Sequence, residues 1–229
     1  MWRWFPAVVL VLGFAGCTPI GAFRTARILD QGKTEVGLVG GVIGMEGFRT
    51  SYGSEPVEIS KLSEVQMPLV AVQARHGLSE HVDLGGRVSF LGGEVEVGLG
   101  FVEGPFAFAV APSVGARKVW EKLNLDAQVP LLVGVDLIPA HPRMLEVTLG
   151  LVGRFERAVI RGPDTGLYLG GSLGVSVRPI PWLFFRVEGL YMASVYSSLP
   201  PLETRPSSVG TDSTHLHGFD LLLGMGVVL

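Results

Sequence analysis

Apolar and polar side chains alternate with a period of two residues along most of this chain, most clearly at its C-terminal end. Between Leu216 and Leu229, Phe219, Leu221, Leu223, Met225 and Val227 share one parity, and Gly218, Asp220, Gly224 and Gly226 share the other. Leu222 is the exception. A period of two is that of a strand with two unlike faces. Ten such stretches predict ten strands, at residues 33–44, 65–76, 82–90, 94–101, 106–117, 123–137, 145–156, 166–178, 182–196 and 215–228. Almost nothing repeats with a helical period. The pattern predicts an all-β chain folded as an antiparallel up-and-down barrel.

The two faces differ in kind. One parity collects Glu35, Arg75, Asp83, Arg87, Glu94, Glu96, Arg117, Asp126, Asp136, Glu146, Arg154, Arg178, Arg186, Glu188 and Asp220, together with many glycines. The other collects bulky residues such as Leu38, Val70, Val72, Val97, Leu99, Val133, Leu151, Leu173 and Phe185. In a soluble barrel the glycines would face water, where they lose backbone entropy and pack nothing. In a membrane barrel they face a narrow lumen and leave room for long charged side chains to cross and pair. A charge on the lipid side costs about 2–4 kcal/mol at the midplane, so the charged parity is expected to line the lumen. Arginine suits that place because its planar fork binds carboxylates in two-pronged fashion and keeps its charge.

Composition narrows the choice further. Hydrophobic residues make up 48% of the 229 and charged residues 17%. Outside the N-terminus no apolar run approaches the length of about 18 residues that a spanning helix needs, whereas a barrel strand needs only about 9–11. The net charge of -3 gives no reason to expect a nucleic-acid partner. Lys33, Lys61, Lys118 and Lys122 all fall at strand ends or in loops. Phe90, Phe101, Phe106, Trp120, Phe155, Trp182, Tyr191 and Tyr196 stand near strand ends, where aromatic girdles meet the two membrane interfaces.

The connections between strands are uneven. Segments 77–81, 102–105, 138–143 and 179–181 are short, while 45–64, 157–165 and 197–214 are long; 91–93 is a short member of the second set. Long loops at one end and short turns at the other is the asymmetry of outer-membrane barrels. Across residues 33–229, including Gly77-Leu78-Ser79-Glu80-His81-Val82-Asp83-Leu84-Gly85 as a turn into a strand, the chain resembles small Gram-negative outer-membrane β-barrel proteins. That resemblance implies short turns and both termini on the periplasmic side, contact with outer-membrane lipids, and passage through the export and barrel-assembly machinery.

Residues 1–16 read as an export signal, with Arg3 followed by an apolar stretch. Its end, Phe14-Ala15-Gly16-Cys17, resembles the lipobox of bacterial lipoproteins, with Phe14 where that family has leucine. The resemblance implies cleavage before Cys17 and lipid on that cysteine, the one cysteine of the chain. Thr18 in the next position implies outer-membrane sorting by the same resemblance. Residues 17–32 are expected to form a periplasmic lead, and 33–229 the barrel.

Candidate chemistry is sparse. Asp212-Ser213-Thr214-His215-Leu216-His217 would lie at the rim, where a carboxylate could orient a histidine to activate water. In that respect the chain is distantly similar to the omptin proteases, but the second acidic pair has no match. His76, His81 and His141 have no metal-ligand spacing, and there is no phosphate loop, nucleophile elbow or paired-cysteine motif. No catalytic residue, metal or cofactor is expected. Ten strands enclose a narrow interior that side chains fill. Its predicted lining is acidic, nine carboxylates against six arginines. The expectation is a non-enzymatic structural or envelope-associated barrel, or a very narrow cation-leaning pore. Two alternatives stand beside it: a rim-site enzyme acting on lipid or peptide, and a soluble lipocalin-like lipoprotein with its bulky residues inward.

Overall fold

A computed structural model describes residues 23–51, 58–119, 122–138, 140–141, 143–159, 165–197 and 212–229. The strands are β1 (Thr34–Ser51), β2 (Glu58–Ser79), β3 (Val82–Ser89), β4 (Gly92–Glu103), β5 (Phe106–Val110), β6 (Ser113–Val119), β7 (Lys122–Asp136), β8 (Leu145–Ala158), β9 (Thr165–Ile180), β10 (Leu183–Ser197) and β11 (Asp212–Val228). Apart from β5 and β6, which do not pair with each other, sequence neighbours pair antiparallel, and β1 pairs with β11, which closes the sheet on itself. Strands β5 and β6 are two halves of one wall strand, since both lie between β4 and β7. The break falls at Ala111-Pro112, where proline has no N–H to give to the ladder. The wall is a closed antiparallel barrel of ten strands.

Closure fixes the faces. Leu99, Val133 and Leu173 are 46%, 39% and 53% exposed, whereas Glu96, Arg154 and Asp220 are 6%, 3% and 3% exposed. The exposed large apolar residues run around the whole wall, from Leu38 and Val70 through Val95, Leu131, Leu151 and Leu169 to Val187 and Leu223. This outward set overturns the lipocalin-like alternative, which needs the same residues inside. No described helix is long and apolar enough to cross a membrane; the strands carry the apolar surface instead.

One end of the barrel has tight connections. β2 and β3 are joined through Glu80 and His81, β9 and β10 through Pro181 and Trp182. Gly104 turns β4 into β5 with φ +59, a left-handed backbone that favours glycine. At the other end β1, β2 and β11 continue as a three-stranded extension, paired as far as Ser51 with Glu58 and Ser51 with Asp212. Residues 45–51 and 58–64, expected as loop, are therefore strand. The alternation that marks the other strands does not run through 45–51 and 58–64.

The aromatic positions lie outside and near the strand ends. Phe90, Phe101, Phe106, Phe155, Trp182, Tyr191 and Tyr196 are all exposed, and Phe101 stacks on Phe108 at 5.2 Å between centroids. Trp120 lies outside the described residues, as do the N-terminal signal and Cys17.

Candidate functional site

The site is the lumen, and the wall strands build it by parity. Inward positions of β2 and β3 present Gln73, Arg75, Asp83 and Arg87, and those of β4 present Glu94 and Glu96. β6 and β7 add Arg117, Asp126, Gln128 and Asp136, β8 adds Glu146 and Arg154, and β10 and β11 add Arg186, Glu188 and Asp220. Glu35 on β1 is wholly buried, and Arg178 on β9 is nearly so. A buried charge is tolerable only when paired, and the pairing falls into two groups.

In the group nearer the long-strand end, Arg87 pairs with Glu94. Arg117 Nε donates to Asp126 Oδ1 at 3.2 Å. Arg117 also pairs with Glu156 at 2.8 Å, and Arg154 lies 3.7 Å from Asp126 and 3.6 Å from Glu156. Glu156 is absent from the sequence-based set, although its parity, two residues past Arg154, points the same way. Glu188 lies close to Arg87 and Arg186. Asp220 has electrostatic partners as well.

The group nearer the short turns contains something the alternation does not announce. Residues 23–29, expected in a periplasmic lead ahead of the barrel, lie within it, and all seven are buried. Arg24 donates to both oxygens of Asp83 at 3.1 Å and to Glu96 Oε1 at 3.2 Å. Its side chain is fully buried. Arg27 pairs with Asp136. The wall also holds the segment's backbone. Glu146 accepts from Ala26 N–H, Asp83 accepts from Leu29 N–H, Arg186 donates to the Phe23 carbonyl at 2.8 Å, and Arg75 donates to that of Arg27. Glu35 sits among Arg178, Arg186 and Arg75 at 2.8, 3.5 and 3.8 Å. Irregular backbone is tolerated at membrane depth only where protein satisfies it, and here it does.

The glycines in this region are spaces for the segment. A Cβ on Gly98 would lie 2.3 Å from the Arg24 guanidinium, one on Gly134 3.0 Å from Ala26, and one on Gly224 2.6 Å from the Phe23 ring. Phe23 packs into an inward-facing apolar cluster of Val39, Ile43, Leu69, Ala71, Val152, Leu190, Met192 and Leu222. Sequence reasoning placed none of this cluster except Leu222, which it noted as the apolar exception on the polar parity. It missed the segment because 23–29 has no strand period. One signal was present. A lumen of nine carboxylates and six arginines lacks cations, and Arg24 and Arg27 are the two arginines just upstream.

The other candidates lie apart from the lumen. His217 pairs its Nδ1 with the Tyr191 hydroxyl on the exposed side of the wall. Asp212 and His215 lie in β11, with side chains outside the described set. His76 Nδ1 is 2.9 Å from the Thr34 hydroxyl, and His81 and His141 are exposed in short turns. Among the described residues no three histidine, cysteine or carboxylate side chains are placed to hold a metal ion.

No family model matches the chain, and no curated protein matches it. Among solved structures it is similar to Neisserial surface protein A (NspA), with 14% identity, 82% of this chain and 96% of that one covered, and a TM-score of 0.38. It is also similar to the outer-membrane protein OprG from Pseudomonas aeruginosa, with 9% identity, 90% and 99% covered, and a TM-score of 0.36. A third is Ail, the attachment invasion locus protein of Yersinia pestis, with 10% identity, 87% and 99% covered, and a TM-score of 0.26.

Proposed function

We propose that this chain is a Gram-negative outer-membrane barrel that keeps its own lumen closed, is acylated on Cys17, and serves the envelope as a non-enzymatic structural component. The observation that carries the reading is the occupied lumen. Residues 23–29 lie in the short-turn half, and their two arginines pair with the wall carboxylates Asp83, Glu96 and Asp136. A permeation path needs mobile water and unpaired charge, and this interior spends its charge on itself. The apolar outer wall supports the membrane location. The short turns are assigned to the periplasmic side and the three-stranded extension to the outside.

The test is conductance. Purified wild-type protein in planar bilayers is expected to stay silent. A variant lacking residues 23–29 removes two cations from an acidic lining, and any leak it carries is expected to favour cations. A steady channel from the wild-type chain would contradict the reading.

A further inference from the structure

We infer that the short-turn end of the barrel binds a small inorganic anion, of the size of chloride, between the inner segment and the wall. The inference needs only the closed barrel and the buried segment, and rests on neither acylation nor a role in the envelope.

The segment and the wall share a cleft of about 260 Å³ at this end. Arg27, Arg75, Arg143 and Arg178 line it, with Ser176 and Glu146. The register brings them together. Ser176 on β9 stands opposite Glu146 on β8 and Arg186 on β10. Arg178 shares its face, two residues nearer the β9–β10 turn. Arg75 comes from β2, Arg27 from the inner segment and Arg143 from the β7–β8 connection.

This lining sets four guanidiniums against one carboxylate. The arginines have partners, Asp136 for Arg27, Asp83 for Arg75, Asp30 for Arg143 and Glu35 for Arg178. None of those carboxylates lines the cleft. Glu146 does, but its Oε1 already accepts from the Ala26 N–H and the Thr148 hydroxyl. Donors are left over. The Ser176 hydroxyl, Arg27 Nε and Arg75 Nε are buried and have no hydrogen-bond partner among the described residues. Glu96 lies 3.9 Å from Arg75 Nε, beyond hydrogen-bond reach. These are interior positions, since Ser176 is 3% exposed, Arg75 4% and Arg27 8%.

A buried donor without an acceptor is costly. Three such donors beside four guanidiniums call for an acceptor that carries negative charge, because charge-assisted hydrogen bonds are the stronger kind. Size selects the class of acceptor. The cleft exceeds the roughly 30 Å³ of one water, and falls short of the roughly 300–1,000 Å³ of pockets for organic ligands. Chloride accepts from any direction, so one ion can serve a hydroxyl and two guanidiniums together. It would tie Arg27 of the segment to Arg75 and Ser176 of the wall, and so help to hold the segment in place.

The experiment uses the purified full chain, folded in detergent. Urea unfolding is followed in sodium chloride and in sodium gluconate at equal ionic strength, gluconate being an organic anion too large for the cleft. The midpoint is expected to rise with chloride and then saturate, as for any ligand bound by the folded state alone. Equal midpoints in the two salts would mean that water alone serves the donors, and would overturn the inference. Substitution then locates the ion. Ser176→Ala removes a hydroxyl with no described hydrogen bond, so it should fold normally and need several-fold more chloride for the same gain. Ser176→Asp and Ser176→Asn, compared in gluconate, test which charge the position favours. Ser176→Asp is expected to be the more stable of the two and to ignore chloride. Ser176→Asn matching or exceeding it, or a chloride response that survives Ser176→Asp, overturns the inference.

Discussion

Asp83 is the residue on which the inner network turns. It accepts from Arg24, from Arg75 at 2.5 Å and from the Leu29 backbone, so it ties the inner segment to two wall strands. Removing one member of a buried ion pair leaves its partner's charge unpaired, at a cost of about 3–5 kcal/mol. Asp83→Ala is therefore expected to destabilise the folded barrel by about that much, read by urea unfolding in lipid vesicles. Arg24→Ala should cost less, because Asp83 keeps Arg75. The opposite order would mean that the segment, not the wall, organises the cluster. Gly98→Leu makes the same point sterically. Its Cβ alone would lie 2.3 Å from the Arg24 guanidinium, so the variant is expected to expel Arg24 and make residues 23–29 newly sensitive to protease. Protection equal to wild type would contradict this.

At the scale of the strand, neighbouring positions meet different worlds. On β8, Glu146, Thr148 and Arg154 face in and are buried, while Leu149 and Leu151 are 57% and 60% exposed. An arginine at Leu149 should cost about 2–4 kcal/mol, and one at Val159, just beyond the strand, about 0–1. Equal costs at the two positions would argue against a lipid slab around β8. The same contrast decides what the sequence could and could not reveal. Residues 82–90 and 123–137 were legible as strands, and the structure has Val82–Ser89 and Lys122–Asp136, because lipid on one side and charge on the other force alternation. Residues 45–51 were not, because Met45-Glu46-Gly47-Phe48-Arg49-Thr50-Ser51 does not alternate. The interruption at Pro112 was hidden within a continuous pattern. Val39, Ile43 and Leu69 were assigned to neither face, although they share the inward parity of Glu35 and Arg75 on their strands.

At the scale of the whole molecule, two surfaces set the behaviour. The outer wall is a continuous apolar band, and the inner wall is a charged and apolar lining whose charges pair with one another and, near the short turns, with Arg24 and Arg27 of the chain's own N-terminal segment. The barrel and its facing were legible because every strand repeats them. The filling of the lumen was not, since it depends on seven residues without a period meeting groups far away in sequence, such as Arg24 with Glu96 and Ala26 with Glu146. The central claim is that the greasy wall is solvated by lipid while the charges are sealed inside. The most direct measurement is cell fractionation followed by electrophoresis in SDS with and without boiling. The protein is expected in the outer-membrane fraction, with a folded form whose mobility changes only on boiling. Recovery as a soluble periplasmic protein whose mobility is the same before and after heating would contradict the account.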